Sequence, residues 1–166
     1  MGSERAHAKY ERLLEFCRSL PPVPTAVAHP CDETSLAGAA DAAKLGLIAP
    51  ILVGPRARIE AVAKEKGIDI AGLPIVDAPY SEASAEKAVE LVREGKAEAL
   101  MKGSLHTDEL MGAVVRREAG LRTARRISHC FVMDVPSYME TLIISDAAVN
   151  IAPTMEDKVH IIQNAI

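Results

Sequence analysis

Four times in succession this 166-residue chain follows a short apolar run with a turn and then an amphipathic or Ala-rich stretch. Residues 25–29 end at His29-Pro30, and Asp32, Glu33, Thr34 and Ser35 then supply cap residues for an Ala-rich helix that Gly46 closes. Residues 48–53, the Gly54-Pro55 turn and a helix over 58–66 ended by Gly67 repeat the unit. Residues 74–77 lead through Pro79 and Ser81 into a helix over 82–94, which Gly95 terminates. Residues 97–101 lead through Lys102-Gly103-Ser104 into a helix over about 107–117. Strand-helix units in series join parallel strands by right-handed crossovers, which gives an open α/β fold, a three-layer sandwich with a mostly parallel sheet. Sheets covered on both faces need aliphatic side chains. The chain supplies them, since it is 49% hydrophobic with no Trp, 2 Phe and 3 Tyr.

The flanks depart from this rhythm. A helix is expected over residues 4–20, with Ala6, Tyr10, Leu13, Leu14 and Cys17 at mostly three- and four-residue spacings before Pro21-Pro22 stops it. After Gly120, residues 127–135 and 141–145 are two strand-like runs separated by five residues, a loop short enough to favour an antiparallel pair. We therefore expect a first α/β domain over residues 1–135 and an incomplete second domain beginning over residues 136–166. Thr154 opens a last helix carrying Val159, Ile161, Ile162 and Ala165, and no Gly, Asn or Pro closes it before Ile166.

Charge narrows the range of ligands. Nineteen Lys and Arg against 23 Asp and Glu give a formal charge of −4, so the overall field recruits neither nucleic acid nor an acidic membrane, and an anionic ligand needs a local site. No apolar run approaches the roughly 20 residues that span a bilayer, and the first 20 residues lack the continuous apolar stretch of a secretory signal, so a cytoplasmic location is expected. Cys17, Cys31 and Cys130 are odd in number and form no CxxC pair, which reads as three reduced thiols. Cys130 sits inside a strand-like run and reads as buried and unreactive. His29, His106 and His129 lack the i, i+4 spacing of a metal site, so no metal is expected.

Ligands of open parallel sheets bind beyond the carboxyl ends of the strands. The richest loop there is Lys102-Gly103-Ser104-Leu105-His106-Thr107, with a Gly for close approach, two hydroxyls, a cation and the N–H groups of a helix start. It reads as a phosphate or carboxylate site, or as a helix cap beside a solvated lysine. Arg116, Arg117, Arg122, Arg125 and Arg126 form a basic cluster in an acidic chain. The first two are explained by closing a helix. The other three suit phosphate oxygens or a solvated loop. Asp134 and Asp146, at strand ends, read as cap or turn residues that could also orient a ligand or act as a base.

Three segments, Thr25-Ala26-Val27-Ala28-His29-Pro30, the run from Ala99 through Lys102 to Thr107, and Ser145-Asp146-Ala147-Ala148-Val149-Asn150-Ile151-Ala152-Pro153, resemble the phosphate acetyltransferase and phosphate butyryltransferase family. The resemblance extends along nearly the whole chain and corresponds to the first half of such an enzyme. It implies an isocitrate/isopropylmalate dehydrogenase-like fold of two α/β domains, truncated here within the second, and a homodimer. It implies an acyltransferase of the cytoplasm that moves a short acyl group between coenzyme A and inorganic phosphate, by attack of the thiolate on an acyl phosphate, with coenzyme A as substrate and no cofactor. By the same resemblance Lys102, Gly103, Ser104, His106 and Thr107 hold the acyl phosphate, and Arg122, Arg125 and Arg126 help bind phosphate or coenzyme A. The family's Ser-Arg and downstream Asp segment has no counterpart before Ile166, so catalytic residues are expected in the remainder of the polypeptide. Two alternatives are an anion- or coenzyme A-binding module that is catalytically incomplete, and a nicotinamide-dependent hydroxy-acid dehydrogenase. The latter needs a carboxylate metal cluster that the sequence does not present.

Overall fold

The computed structural model describes residues 8–166, and Glu4 and Ala6 of the expected first helix lie outside the described residues. The chain forms two compact units, one of residues 20–122 and one that joins the described residues up to Ser19 to residues 123–166.

The unit of residues 20–122 is the α/β body that the strand-helix rhythm specifies. Its elements are β1 (Val23–Ala28), α2 (Glu33–Lys44), β2 (Ile48–Gly54), α3 (Arg56–Lys66), β3 (Ile75–Asp77), α4 (Ser81–Arg93), β4 (Ala99–Lys102) and α5 (Thr107–Val114), with α1 (Ala8–Arg18) preceding them in the chain and belonging to the other unit. The four strands are parallel in the order β3-β2-β1-β4. Side chains alternate across the sheet, as the two-residue strand period requires. Ala26, Ala28 and Val53 face one core with Ala85, Ala88 and Val89 of α4 and Leu110 and Ala113 of α5. Val27 and Leu52 face the other with Leu36 and Ala39 of α2 and Ile59 and Ala63 of α3. Helix ends follow local chemistry: Asp32 accepts from the Ser35 amide at the start of α2, and Gly67 adopts the left-handed conformation that closes α3.

The helix expected to reach residue 117 stops at Val114. Val115 leaves helical geometry, and the amides of Gly120 and Leu121 fold back onto the carbonyls of Arg116 and Val114. Arg116 and Arg117 therefore lie past the helix end, and Arg116 pairs with Glu86 at 2.6 Å.

In the other unit the expected antiparallel pair forms as β5 (Cys130–Met133) and β6 (Leu142–Ser145), shorter than the apolar runs suggested. Thr154 and Asp157 cap α6 (Met155–Ala165) reciprocally. Cys130 is exposed, contrary to its reading as a buried thiol, because a two-stranded ribbon has too little covering structure to bury a strand residue. Phe131 and Val132 are 52% and 57% exposed, as are Ile143 and Ile144 at 53% and 46%. Adjacent strand residues point to opposite faces, so both faces of the ribbon are open.

Two outcomes follow from this packing. Leu52→Ala, at a wholly buried position, is expected to lower stability by about 2–5 kcal/mol, read from the denaturant midpoint at unchanged slope. The open ribbon is expected to bind a hydrophobic dye and to drive concentration-dependent self-association of the purified 166-residue chain, seen by light scattering. A monodisperse chain that binds no dye is the contrary result.

Candidate functional site at the carboxyl end of the parallel sheet

The strand order places a topological switch between β1 and β4. The chain leaves β1 into α2 on one face of the sheet and leaves β4 into α5 on the other. Loops that diverge in this way leave a crevice beyond the carboxyl ends of the strands, where open α/β sheets take their ligands. Here those loops are His29-Pro30-Cys31-Asp32 and Lys102-Gly103-Ser104.

Backbone contacts weld the two loops together. The Gly103 amide donates to the Ala28 carbonyl at 2.8 Å, and the His29 carbonyl accepts from the amides of Cys31 at 2.8 Å and Ser104 at 2.9 Å. The Ser104 hydroxyl adds a third bond to the His29 carbonyl at 2.9 Å and accepts from the Cys31 amide at 3.2 Å. A Cβ at Gly103 would lie 2.5 Å from the His29 carbonyl oxygen, so only glycine allows this approach. Ser104, expected to face a ligand, thus uses its hydroxyl to tie the loops.

Lys102 is exposed, and its ammonium donates to the Gly103 carbonyl at 3.3 Å. His106 is the N-cap residue of α5, and its amide donates to the Glu109 carboxylate at 2.6 Å. The other Glu109 oxygen accepts from the Ser81 hydroxyl at 2.6 Å. These bonds, from Ser81 first and the His106 amide second, hold the Glu109 carboxyl below its usual range. One donor of the expected anion cradle is therefore already satisfied by a carboxylate. The sequence offered Ser104 or Thr107 as the cap of this helix, whereas the structure puts His106 at the N-cap, and the bond from Ser81 needed the fold to bring α4 to α5. The amides of Thr107 and Asp108 open the helix with no acceptor of their own inside it. Asp32 stands nearby, held below its usual range mainly by the Ser35 hydroxyl and amide, with smaller contributions from Lys102 and Arg58. Burial pushes the Cys31 thiol up, which makes it unreactive.

The basic cluster does not gather into one element. Arg122 is exposed at the end of the unit of residues 20–122, whereas Arg125 and Arg126 belong to the other unit. Arg126 pairs with Asp157 at 3.0 Å, and its amide donates to His160. Arg125 is exposed, with its amide on the Thr123 hydroxyl. Asp134 pairs with Lys9 at 3.1 Å and accepts from the Tyr10 amide.

Asp146 is the turn residue expected of it: its carboxylate accepts from the amides of His129, Ala148, Val149 and Asn150 and from the Asn150 side chain. Partial burial pushes its pKa up, but the bonds from Ala148, Asn150, Val149 and His129 together outweigh it and hold the carboxyl far below its usual range. Among the described residues no group of three or more His, Cys, Asp and Glu side chains is arranged to hold a metal, and no helix is long and apolar enough to cross a membrane.

A mostly parallel sheet whose loops diverge at a switch point defines an α/β fold of the kind that takes ligands beyond the carboxyl ends of its strands. Residues 81–166 match the family model described as phosphate acetyl/butaryl transferase, and the chain belongs to that family. It is 59% identical over 159 residues to a phosphate acetyltransferase of Rhizobium meliloti, covering 96% of this chain and 50% of that protein. A phosphate butyryltransferase of Clostridium acetobutylicum is 37% identical over 141 residues, covering 85% of this chain and 47% of its own length. Among solved structures, a branched-chain phosphotransacylase from Enterococcus faecalis V583 superposes with a TM-score of 0.64 at 26% identity, over 86% of this chain and 49% of that one. The chain spans about half the length of the curated relatives it matches.

Gly103→Ala is expected to destabilise the unit of residues 20–122 by about 1–3 kcal/mol or more, because the clash is with backbone that cannot rotate away. Hydrogen exchange at the ends of β1 and β4 would show the loosening. For Asp146, the folded pKa lies below the unfolded one, so its stabilisation is complete above the unfolded value, about pH 4, and fades as pH falls through and below it. Asp146→Asn should therefore be less stable than the native chain at pH 7, with the difference shrinking in acid. A difference that stays constant down to the acid limit would contradict this.

Proposed function

We propose that this chain is the part of a phosphate acyltransferase that moves a short acyl group, acetyl or butyryl, between coenzyme A and inorganic phosphate. The observation that carries the reading is the combination of family membership with relatives named for both acetyl and butyryl transfer. The switch-point loop of Lys102, Gly103, Ser104, His106 and Thr107 supports it, because acyl phosphate needs a cation and free amides at a place where backbone can approach closely.

In this reading the thiolate of coenzyme A attacks the acyl carbon of the acyl phosphate directly. The carbon–sulfur bond forms as the carbon–oxygen bond breaks, and phosphate departs with the bonding pair. Catalysis then rests on alignment and on stabilising charge at the carbonyl oxygen and the leaving phosphate. Lys102 and the first amides of α5 take the phosphate, Gly103 and Ser104 hold the floor of the site against the end of β1, and His106 and Thr107 border it. Arg122, Arg125 and Arg126 add charge for phosphate or coenzyme A. The isocitrate/isopropylmalate dehydrogenase-like three-layer sandwich, with a first domain over residues 1–135 and a second beginning at 136, belongs to the same proposal. So do the homodimer, the cytoplasmic location, the absence of a cofactor, and catalytic residues in further polypeptide.

The test is titration of the chain with acetyl phosphate and with coenzyme A, paired with thioester detection after mixing both. Lys102→Ala is expected to weaken acetyl phosphate binding about tenfold or more, the loss of one charge-assisted bond of roughly 1.5–3 kcal/mol. Unchanged affinity removes the loop from the site. The 166 residues are expected to bind ligand without turning over, because a reaction run by alignment fails when the aligning groups are incomplete. Thioester formation at an enzyme's usual rate, about 1–1,000 per second, would place the catalytic residues in this chain instead.

A further inference from the structure

One residue at the switch point, His29, holds a buried ring in a strained backbone, although its sequence context, a lone histidine before proline, reads as structural. His29 is 6% exposed and has φ 55, the left-handed region that a residue with a Cβ rarely adopts. Holding it there takes the bonds already described to its carbonyl, together with one from its own amide to the Val53 carbonyl at 2.7 Å. A strained conformation that several bonds over-determine marks a position whose side chain must point in a particular direction.

The ring is set with equal care. Its Nδ1 lies 3.0 Å from the Ser84 hydroxyl oxygen. That hydroxyl has one proton and donates it to the Tyr80 carbonyl at 2.7 Å, so toward His29 it can only accept. Nδ1 therefore carries the proton, and Nε2 is left with a lone pair. Nε2 has no hydrogen-bond partner among the described residues, yet it is not among the polar atoms sealed from solvent. The charged groups that act on the ring are Arg58, Glu82 and Glu109, which lie in the first turns of α3, α4 and α5. Desolvation first, and Arg58 second, push the His29 pKa down against the two carboxylates, so the ring is neutral near pH 7.

The surrounding site is rich in donors, namely Lys102, Arg58 and the first amides of α5. An acceptor with a fixed lone pair in such a place is of no use to an acyl phosphate dianion, which has no proton to donate. It suits a ligand that brings its own donor to the edge of the phosphate cradle. We propose that His29 Nε2 accepts a hydrogen bond from the thiol or an amide of the pantetheine arm of coenzyme A, and so positions the arm beside the Lys102 loop. This rests on the transferase reading above. His29 here is a substrate-contacting acceptor, with Ser84 the positioning residue that sets its tautomer.

The experiment is a long-range proton–nitrogen spectrum of the 166-residue chain labelled at histidine nitrogen, recorded free, with coenzyme A, and with coenzyme A disulfide, with binding followed in parallel by calorimetry. The free chain should show His29 protonated at Nδ1 and bare at Nε2, and coenzyme A should move the Nε2 signal. Movement with the thiol form alone assigns the donor as the thiol, and movement with both forms assigns it as an amide. Ser84→Ala should mix the tautomers. His29→Phe should weaken coenzyme A binding about five- to tenfold, and His29→Gln, which keeps an acceptor near the Nε2 position, should restore most of it. A proton on Nε2 in the free chain overturns the inference, as does an Nε2 signal unmoved when calorimetry shows coenzyme A bound, and in these cases the transferase reading stands. No binding of coenzyme A at all overturns both.

Discussion

The structure turns on the contact between the ends of β1 and β4. Gly103 lies against the carbonyls of Ala28 and His29 so closely that a methyl group cannot be inserted, and Ser104 then ties its hydroxyl and amide to the His29 carbonyl. The β1–β4 pair carries the reversal of the sheet, with β2 and β3 on the far side of β1. The β1–β4 register sets Ala28 beside Lys102, and the close approach at Gly103 brings Ser104 against the His29 carbonyl.

That contact also explains how the loop residues divide their work. A polar side chain at a switch point can face a ligand or hold the floor of the site, and Ser104 holds the floor, its hydroxyl donating to the His29 carbonyl and accepting from the Cys31 amide. Glu109 meets the His106 amide at the start of α5 in the same way. Lys102, with one weak contact to the neighbouring carbonyl, remains available to an anion. A loop that reads in sequence as either an anion site or a helix cap is therefore at least half scaffold.

The two units differ in how far they satisfy their own apolar surface. In the unit of residues 20–122 both sheet faces are covered, and Val27, Leu52, Ala26 and Ala28 have no exposure. In the other unit the β5–β6 ribbon leaves Phe131, Val132, Ile143 and Ile144 open. A two-stranded ribbon with one helix has too few layers to bury side chains on both faces.

What the sequence determined by itself is the α/β body: four apolar runs, each followed by cap residues and a helix closed by glycine or a turn, admit only parallel strands with helical crossovers. The Asp146 turn and the β5–β6 pair were legible as well, because their spacing along the chain is local. The end of α5 and the exposure of Cys130 were not, since one depends on how residues 116–121 fold back and the other on what covers a strand. Only the tertiary structure decided that β4 lies beside β1 and that Ser84, 55 residues from His29, fixes its tautomer. Periodicity and capping act over a few residues and are written in the chain. The identity of a strand's neighbour, and the direction in which a buried ring points, come from contacts between distant segments that no local pattern encodes.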